Sequence, residues 1–301
     1  MNNEIPTRQP ASATGYLLAF TATALWAGNF IVARGLSHSM PPVTLAFLRW
    51  ATAVTVLLPF GLRPLCRDIK IVLSNPGYFA LTAFLGVTIC NTLIYISAHS
   101  SKALNMSLIF MCVPGFTVVL ARTFLQDTLT SRRIAGLFIA FVGVVLLITH
   151  GHLWRLMSLT FSEGDEWMLG AAASLAIYGV LVRRKPVGLS PAGFLSATFI
   201  LGLLFLLPWL LWETATVSSI NFSSTALEGI IYLGVGPSLL GFLCWNRAIA
   251  SIGPVRSGFV LYCHPLLSGV SASLLLGEPI NLISVLSGIV IIAGVIVATL
   301  E

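Results

Sequence analysis

Two stretches decide the fold, VPGFTVVLARTFLQD at residues 113–127 and HPLLSGVSASLLLGE at residues 264–278. Each contains a proline, then a mostly apolar run, and each ends on an acidic residue 13 positions after the proline. The prolines, Pro114 and Pro265, are 151 residues apart, about half the length of the chain. The same pattern in both halves indicates an internal repeat, a feature to look for before any other detail.

Other landmarks recur at nearly the same separation. Four further pairs, 149 to 151 residues apart, are Pro42 with Pro191, Pro59 with Pro208, Asp127 with Glu278, and Gly143 with Gly294. One such pair would be unremarkable, but five in the same order are difficult to explain by chance. We therefore predict two homologous halves.

The composition is that of a membrane protein. Of the 301 residues, 57% are apolar and only 9% are charged, whereas about 25% of the residues of a soluble domain are charged. The net charge of +6 comes from short basic clusters between apolar runs, a distribution that reports membrane topology. We therefore predict contact with a lipid bilayer and no nucleic-acid partner.

Ten stretches are long and apolar enough to cross a bilayer, which takes about 20 residues of helix. They are continuously apolar, unlike the short alternating strands of membrane barrels, so we predict an all-α integral membrane protein with ten transmembrane helices. The stretches are 15–36, 44–62, 77–97, 103–124, 133–148, 166–182, 191–212, 226–250, 255–276 and 282–300.

The stretches group into four segments of the chain. We predict an N-terminal tail at 1–14, a first five-helix repeat at 15–149, a connecting loop at 150–165 and a second five-helix repeat at 166–301. Because five is odd, the second repeat must enter the membrane inverted relative to the first. Inverted repeats place a substrate site at their interface near the bilayer midplane.

The basic residues predict the orientation. If the N-terminus is cytoplasmic, twelve lysines and arginines face the cytoplasm and three face the other side, as the positive-inside rule requires. The N-terminal region lacks a convincing cleavage signal, so we expect the first span to be retained. These features predict a multi-pass protein of a bacterial-type inner membrane with both termini in the cytoplasm.

Several motifs resemble the drug/metabolite transporter superfamily, in its EamA-type ten-span branch. The segment 26–30, WAGNF, is similar to the family's W-G-x-N-F element, and the two opening stretches resemble its repeated P–(apolar run)–L-G-E signature. The first copy departs from this signature at Gln126 and Asp127, and Arg49 lies where the family commonly has an arginine. The resemblance implies an alternating-access transporter, most simply an exporter, of small metabolites such as amino acids.

Polar and aromatic side chains inside the spans are the candidate substrate contacts, because a cavity for a small amphipathic solute needs aromatic walls and a few placed polar groups. They are Trp26, Asn29, Arg49, Asn91, Tyr95, Tyr178, Ser238, Trp245, His264 and Ser268. The candidate helix breaks or hinges are Pro114, Pro265, Gly236 and Pro237, since proline removes a backbone hydrogen bond.

Two of these candidates have competing interpretations. Arg49 lies inside the second span, where its guanidinium either binds a substrate carboxylate or phosphate or extends to the interface or a backbone carbonyl. His264 either titrates near neutral pH or is a packing histidine. No acidic residue lies in the middle of a span, so any proton coupling would use His264, and facilitated diffusion without an ion is the alternative.

Other functional classes have less support. A channel would share the repeated glycines and prolines, while an enzyme would need motifs such as G-x-S-x-G or H-E-x-x-H that the chain lacks. The five cysteines form no C-x-x-C pair, so we predict no metal, no cofactor and no catalytic residue. Small residues at Gly136, Ala140, Ser284 and Gly288 could pack spans within one chain or pair two chains, so a monomer and a homodimer both remain open.

Overall fold

The computed structural model describes residues 12–37, 39–101, 103–128, 130–149, 151–157, 162–216, 223–276 and 282–299. Within these ranges the regular secondary structure is helical and no strand occurs. The prediction of an all-α fold is therefore confirmed. Glu278, the acid of the second repeated stretch, lies outside the described residues.

The spans follow the predicted order. Spans one to five are Ala13–Leu36, Pro42–Ser74, Pro76–Ser100, the pair Ala103–Phe110 and Cys112–Leu125, and Ser131–Thr149. Spans six, seven and ten are Glu163–Arg183, Pro191–Thr216 and Leu282–Thr299. Spans eight and nine are residues 224–252 and 254–276.

Spans eight and nine are separate helices although they are nearly continuous in sequence. In the described part of the chain, nine stretches are long and apolar enough to span a membrane, and one of them, Ser224–Ser271, has 48 residues. At 1.5 Å per residue, such a helix would be more than twice as long as a bilayer core of about 30 Å is thick. Gly253 interrupts it with a φ of 83° and a ψ of 164°, so the part of the chain that the structure describes contains ten spans, as predicted.

Span two is longer than predicted. It continues to Ser74, twelve residues beyond the expected end, and so Arg63, Arg67 and Lys70 lie on a helix and not in a loop. The extension remains amphipathic, because Asp68 is buried while the three basic side chains are exposed. Sequence hydropathy missed it because charged residues end an apolar run without ending a helix.

The helix contacts repeat under exchange of the two halves. Span one packs on spans eight and nine, and span six packs on the corresponding spans three and four. Spans two and seven pack on each other, as do spans five and ten. Replacing each span by its equivalent in the other half returns the same set of contacts, which is what a two-fold relation between inverted repeats requires. The exact limits of the two halves remain a prediction.

Spans five and ten show this relation at atomic detail. A Cβ atom added to Gly143 would lie 2.8 Å from the backbone nitrogen of Ile291, and one added to Gly294 would lie 2.3 Å from that of Ala140. Gly294 is the equivalent of Gly143 in the second repeat, 151 positions later, and Ala140 is the equivalent of Ile291 in the first repeat, 151 positions earlier. Gly136 likewise faces the backbone of Ala298, so these small residues pack two spans of the same chain.

We expect Gly294→Ala to destabilise the protein, because its methyl group would overlap the backbone of span five. Overpacking of this kind costs about 1–3 kcal/mol. Gly115→Ala is the matched control, since a Cβ there meets nothing within 4 Å. Thermal unfolding of the detergent-solubilised protein should show a lower midpoint for Gly294→Ala only. Equal midpoints for the two variants would contradict the close packing.

Buried carboxylates join both ends of the pair formed by spans two and seven. Near the end of span seven, Glu213 accepts hydrogen bonds from the backbone nitrogens of Val43 and Thr44, at 3.0 and 2.6 Å, at the start of span two. Near the end of span two, Asp68 accepts hydrogen bonds from the backbone nitrogen of Ser190, at 2.8 Å, and from its hydroxyl, just before span seven. Carboxylates are favourable at helix N-termini, so each helix stabilises the start of the other.

Spans three and eight also share an irregularity. Both contain a π-helical segment, at Phe84–Ile89 and Gly234–Leu240, which are equivalent positions in the two repeats. Such segments occur frequently at functional sites. In each segment a backbone carbonyl accepts a hydrogen bond from the first span of the other half. Trp26 Nε1 on span one donates to the carbonyl of Pro237 at 2.9 Å, and Ser174 Oγ on span six donates to the carbonyl of Leu85 at 2.8 Å.

Candidate substrate-binding site

Arg49 is the centre of a polar network inside the bundle. Its side chain is fully buried, and Nη1 donates to Asn29 Oδ1, Asn91 Oδ1 and Tyr95 Oη at 3.0, 2.9 and 2.5 Å. Its Nε donates to Ser238 Oγ at 2.7 Å. Five side chains from spans one, two, three and eight therefore meet at one guanidinium.

The charge of Arg49 is not neutralised within the described part of the chain. All of its hydrogen-bond partners, Asn29, Asn91, Tyr95 and Ser238, are neutral side chains. A buried charge normally has a counter-charge, because desolvation without one is very costly. The surroundings of Arg49 therefore favour an anionic ligand.

Unpaired donors lie at the same place. Arg49 Nη2 and Asn91 Nδ2 are buried and have no hydrogen-bond partner among the described residues. These two groups belong to side chains that already share a hydrogen bond, so they lie close together. Buried polar groups are nearly always paired, and two unpaired donors beside an unneutralised guanidinium fit an anionic acceptor such as a carboxylate.

An aromatic cluster adjoins this network. The ring of Phe242 contacts those of Trp26, Trp50, Tyr178 and Phe199, with centroids 5.6, 5.2, 5.5 and 5.9 Å apart. Trp245 packs on Trp26 with a centroid distance of 5.0 Å. These rings come from spans one, two, six, seven and eight, and they form an apolar centre between the two halves.

The hydroxyl of Tyr178, whose ring belongs to the cluster, forms a second polar pair. Tyr178 Oη donates to Asn246 Oδ1 at 2.9 Å, and Asn246 Nδ2 and Trp245 Nε1 have no partner among the described residues. Ser238 of the Arg49 network and Asn246 of this polar pair lie four residues before and four residues after Phe242 on span eight, so the two polar groups are about one turn to either side of that ring. The interior is thus amphipathic, with polar groups at both ends and aromatic rings between them.

His264 occupies a separate position beside span one. Its imidazole lies between the rings of Phe30 and Phe110, at 4.8 and 5.2 Å, and it hydrogen-bonds the backbone of Trp26. Neither its Nε2 nor the hydroxyl of Ser268, one turn along the same helix, has a hydrogen-bond partner among the residues that the structure describes. Asp68, Asp127, Asp165 and Glu213 make their contacts elsewhere.

The structure thus brings most of the sequence candidates into one interior. The Arg49 network and the adjoining aromatic cluster contain Trp26, Asn29, Arg49, Asn91, Tyr95, Ser238 and Trp245. The ring of Tyr178 contacts Phe242 in the same cluster, while His264 and Ser268 lie separately on span nine, where His264 contacts Phe30 of span one. Sequence reasoning missed Trp50, Phe199, Phe242 and Asn246, because an aromatic residue or a lone asparagine in an apolar run carries no sign of its neighbours.

The candidate hinges lie at irregular backbone. Gly236 and Pro237 are inside the π-helical segment of span eight. Pro265 follows a short 3₁₀ turn, Leu261–Cys263, in span nine, and Pro114 lies near the start of the second helix of span four, after Met111. Their role as hinges remains a prediction.

Ten spans in two-fold-related halves, with a buried polar and aromatic site between them, define an integral membrane transporter. Comparison with known proteins gives the family. The profile of the EamA-like transporter family matches residues 13–149 and again 162–300. The chain belongs to this family, and both repeats carry its sequence pattern.

Relatives with curated names are also transporters. The chain is 30% identical over 242 residues to a protein of Streptantibioticus cattleyicolor named "Probable terminal-alkyne amino-acid exporter", covering 79% of this chain and 75% of the relative. It is 26% identical to the "Probable amino-acid metabolite efflux pump" of Salmonella typhimurium, covering 92% of each chain. A solved crystal structure, 20% identical, superposes with a TM-score of 0.74 over 96% of this chain and 97% of that one, and so shares the fold.

Proposed function

We propose that this transporter exports small amphipathic metabolites that carry a carboxylate, amino acids above all, by alternating access at the interface of the two repeats. The observation that carries the proposal is the unneutralised guanidinium of Arg49 with two unpaired donors, Arg49 Nη2 and Asn91 Nδ2. A substrate carboxylate would supply the missing charge and accept from both donors.

The rest of the solute would lie on the aromatic cluster. Rings of Trp26, Phe242 and Trp245 adjoin the Arg49 network, and they favour an apolar or aromatic side chain over a strongly polar one. An α-ammonium group would find aromatic faces and carbonyl oxygens there, since cations bind to the faces of tryptophan and tyrosine rings. The names of the two relatives, both of which refer to amino acids, support the same class.

The distribution of basic residues in the sequence supports a proposal for the location. We infer a bacterial inner membrane with both termini in the cytoplasm, because twelve basic residues then face inward and three outward. In this orientation Arg49 lies in the outer half of the membrane, since it is seven residues from the start of span two, which begins on the outer side. We propose transport down the solute gradient, without an intramembrane carboxylate as proton carrier.

The function is tested with purified protein in liposomes. Liposomes loaded with an unlabelled apolar amino acid such as leucine or phenylalanine should accumulate the labelled form from outside, because a carrier exchanges solutes across its site. The labelled form of a polyamine of similar size should not accumulate. Uptake that does not saturate and does not depend on internal solute would indicate a channel instead, and absence of exchange for every carboxylate tested would contradict the proposal.

A further inference from the structure

Two tyrosine–asparagine hydrogen bonds occupy equivalent places in the two repeats. Tyr95 Oη donates to Asn29 Oδ1 at 3.0 Å, and Tyr178 Oη donates to Asn246 Oδ1 at 2.9 Å. Asn29 is 149 positions before Tyr178, and Tyr95 is 151 positions before Asn246. The landmarks of the two repeats have these same separations, so the repeat aligns Asn29 with Tyr178 and Tyr95 with Asn246. Each bond is therefore the counterpart of the other, with the tyrosine and the asparagine in exchanged positions.

The two bonds lie toward opposite ends of the bundle. Asn29 and Tyr95 are seven and five residues from the ends of their spans at Leu36 and Ser100. At the opposite end of the bundle the same two distances recur. Tyr178 is five residues before the end of span six at Arg183, and Asn246 is seven residues before the break at Gly253 that ends span eight. The cluster around Phe242 lies between the two bonds.

Both bonds connect the same two pairs of helices. Spans one and eight form the first pair, joined by the Trp26–Trp245 ring contact. Spans three and six form the second, in which the ring of Tyr178 packs directly over Gly86. In each bond the asparagine comes from the first pair and the tyrosine from the second. Rocking one pair against the other would therefore stretch one bond while it compresses the other.

The remaining spans provide a frame for such a motion. Spans two and seven are joined at both ends by Glu213 and Asp68, and spans five and ten are in backbone contact at Gly143 and Gly294. These contacts are symmetric between the two ends of the bundle, so they favour neither opening. The helix pairs that carry the tyrosine–asparagine bonds have no comparable carboxylate lock between them among the described contacts.

We propose that the Tyr95–Asn29 and Tyr178–Asn246 bonds are the two gates of the transport cycle, which open alternately as the two helix pairs rock. The proposal rests on the proposed carrier function but not on the identity of the solute. Both bonds are formed in this structure, which therefore corresponds to a state closed at both ends. Opening at one end separates Tyr95 from Asn29, both of which Arg49 also binds. Opening at the other end separates Tyr178 from Asn246 and Arg183 from the carbonyl of Ala250.

Removing one of the two tyrosine–asparagine bonds should favour the state that is open at the end of the bundle where that bond lies. A neutral hydrogen bond contributes modestly to stability, so its loss should shift the ratio of the two open states by about 3–10-fold. Tyr178→Phe is the primary variant, because the hydroxyl of Tyr178 donates to Asn246 alone. The reciprocal variant Tyr95→Phe also removes the bond from Arg49, so it serves to confirm direction only.

Two buried positions report on the two ends. Ala98 and Ile249 each lie one turn beyond Tyr95 and Asn246, toward the ends of their spans, and both are buried. In a variant lacking the five native cysteines, each is changed separately to cysteine, and its rate of alkylation by a small water-soluble maleimide is measured without any solute. Because no substrate is present, a failure of the amino-acid proposal does not affect this result.

The expected result is directional. Tyr178→Phe should raise the alkylation rate at the Ile249→Cys reporter by about 3–10-fold and lower it at the Ala98→Cys reporter. The control is Tyr78→Phe, since the hydroxyl of Tyr78 donates to the carbonyl of Leu181 within one helix pair, at 2.7 Å, and should shift neither rate. If Tyr178→Phe leaves the alkylation rates at both reporters unchanged, or raises both, the proposal is overturned. Asn246→Leu, which removes the same bond from the other side, should reproduce the shift if Tyr178→Phe folds poorly.

Discussion

Replacing Arg49 by lysine is expected to lower the transport of carboxylate-bearing solutes by about 10–100-fold, the value of one hydrogen bond to a charged group. Lysine keeps the positive charge but not the planar fork, in which Nε and Nη1 hold Ser238, Asn29 and Asn91 while Nη2 remains for the substrate. An ammonium group cannot satisfy both sets of partners at once. Initial rates of counterflow in proteoliposomes give the measurement.

The control for this change is Arg122→Lys. Arg122 is exposed, and its Nη1 lies 3.5 Å from the carbonyl of Asp127, so its replacement should leave transport unchanged. A neutral solute distinguishes recognition from structure. If Arg49 binds the carboxylate, transport of a neutral solute should fall much less than that of an acid, whereas equal losses would assign Arg49 a structural role.

Replacing Phe242 by alanine is expected to destabilise the protein by about 3–5 kcal/mol, the cost of removing a large buried ring. Phe242 is 1% exposed and touches four other aromatic rings, from spans one, two, six and seven. Loss of its ring leaves a cavity where both halves meet. Lipid cannot reach this point, so the lost contacts cannot be replaced.

The matched change is Phe60→Ala on span two. Its ring is 76% exposed on the bundle surface, where acyl chains can fill the space, so the midpoint of thermal unfolding should change little. The Phe242→Ala midpoint should fall by several degrees. Phe242→Leu should be intermediate, because it retains part of the volume. Equal midpoints for Phe60→Ala and Phe242→Ala would show that the aromatic cluster does not join the two halves.

The spans were predictable from the sequence because they depend on local composition. A helix in lipid must be apolar over about 20 residues, so the ten stretches matched the helices closely. The main error was span two, whose charged extension past Arg63 follows helical periodicity and not hydropathy. The two-fold contacts, including Gly143 with Ile291, were implied by the repeat but not by any single residue.

The site was predictable in part. Arg49 and Asn29 were conspicuous as polar residues in apolar runs, and a charge inside a span is a functional candidate by default. Their mutual hydrogen bonds, and the position of Phe242 among four rings, depend on packing between distant segments. Glu213 is the clearest example, because the residues it caps, Val43 and Thr44, lie 170 and 169 positions earlier. No local pattern carries that information.

The claim that Arg49 binds the carboxylate of the substrate is tested most directly by changing both partners. Counterflow of a labelled amino acid is measured against increasing concentrations of an unlabelled amino acid or its carboxamide, in the wild type and in Arg49→Lys. The wild type should prefer the acid over the amide by at least about tenfold, and the variant should lose most of that preference. The same preference in both proteins would contradict the account, because the carboxylate would then be recognised elsewhere.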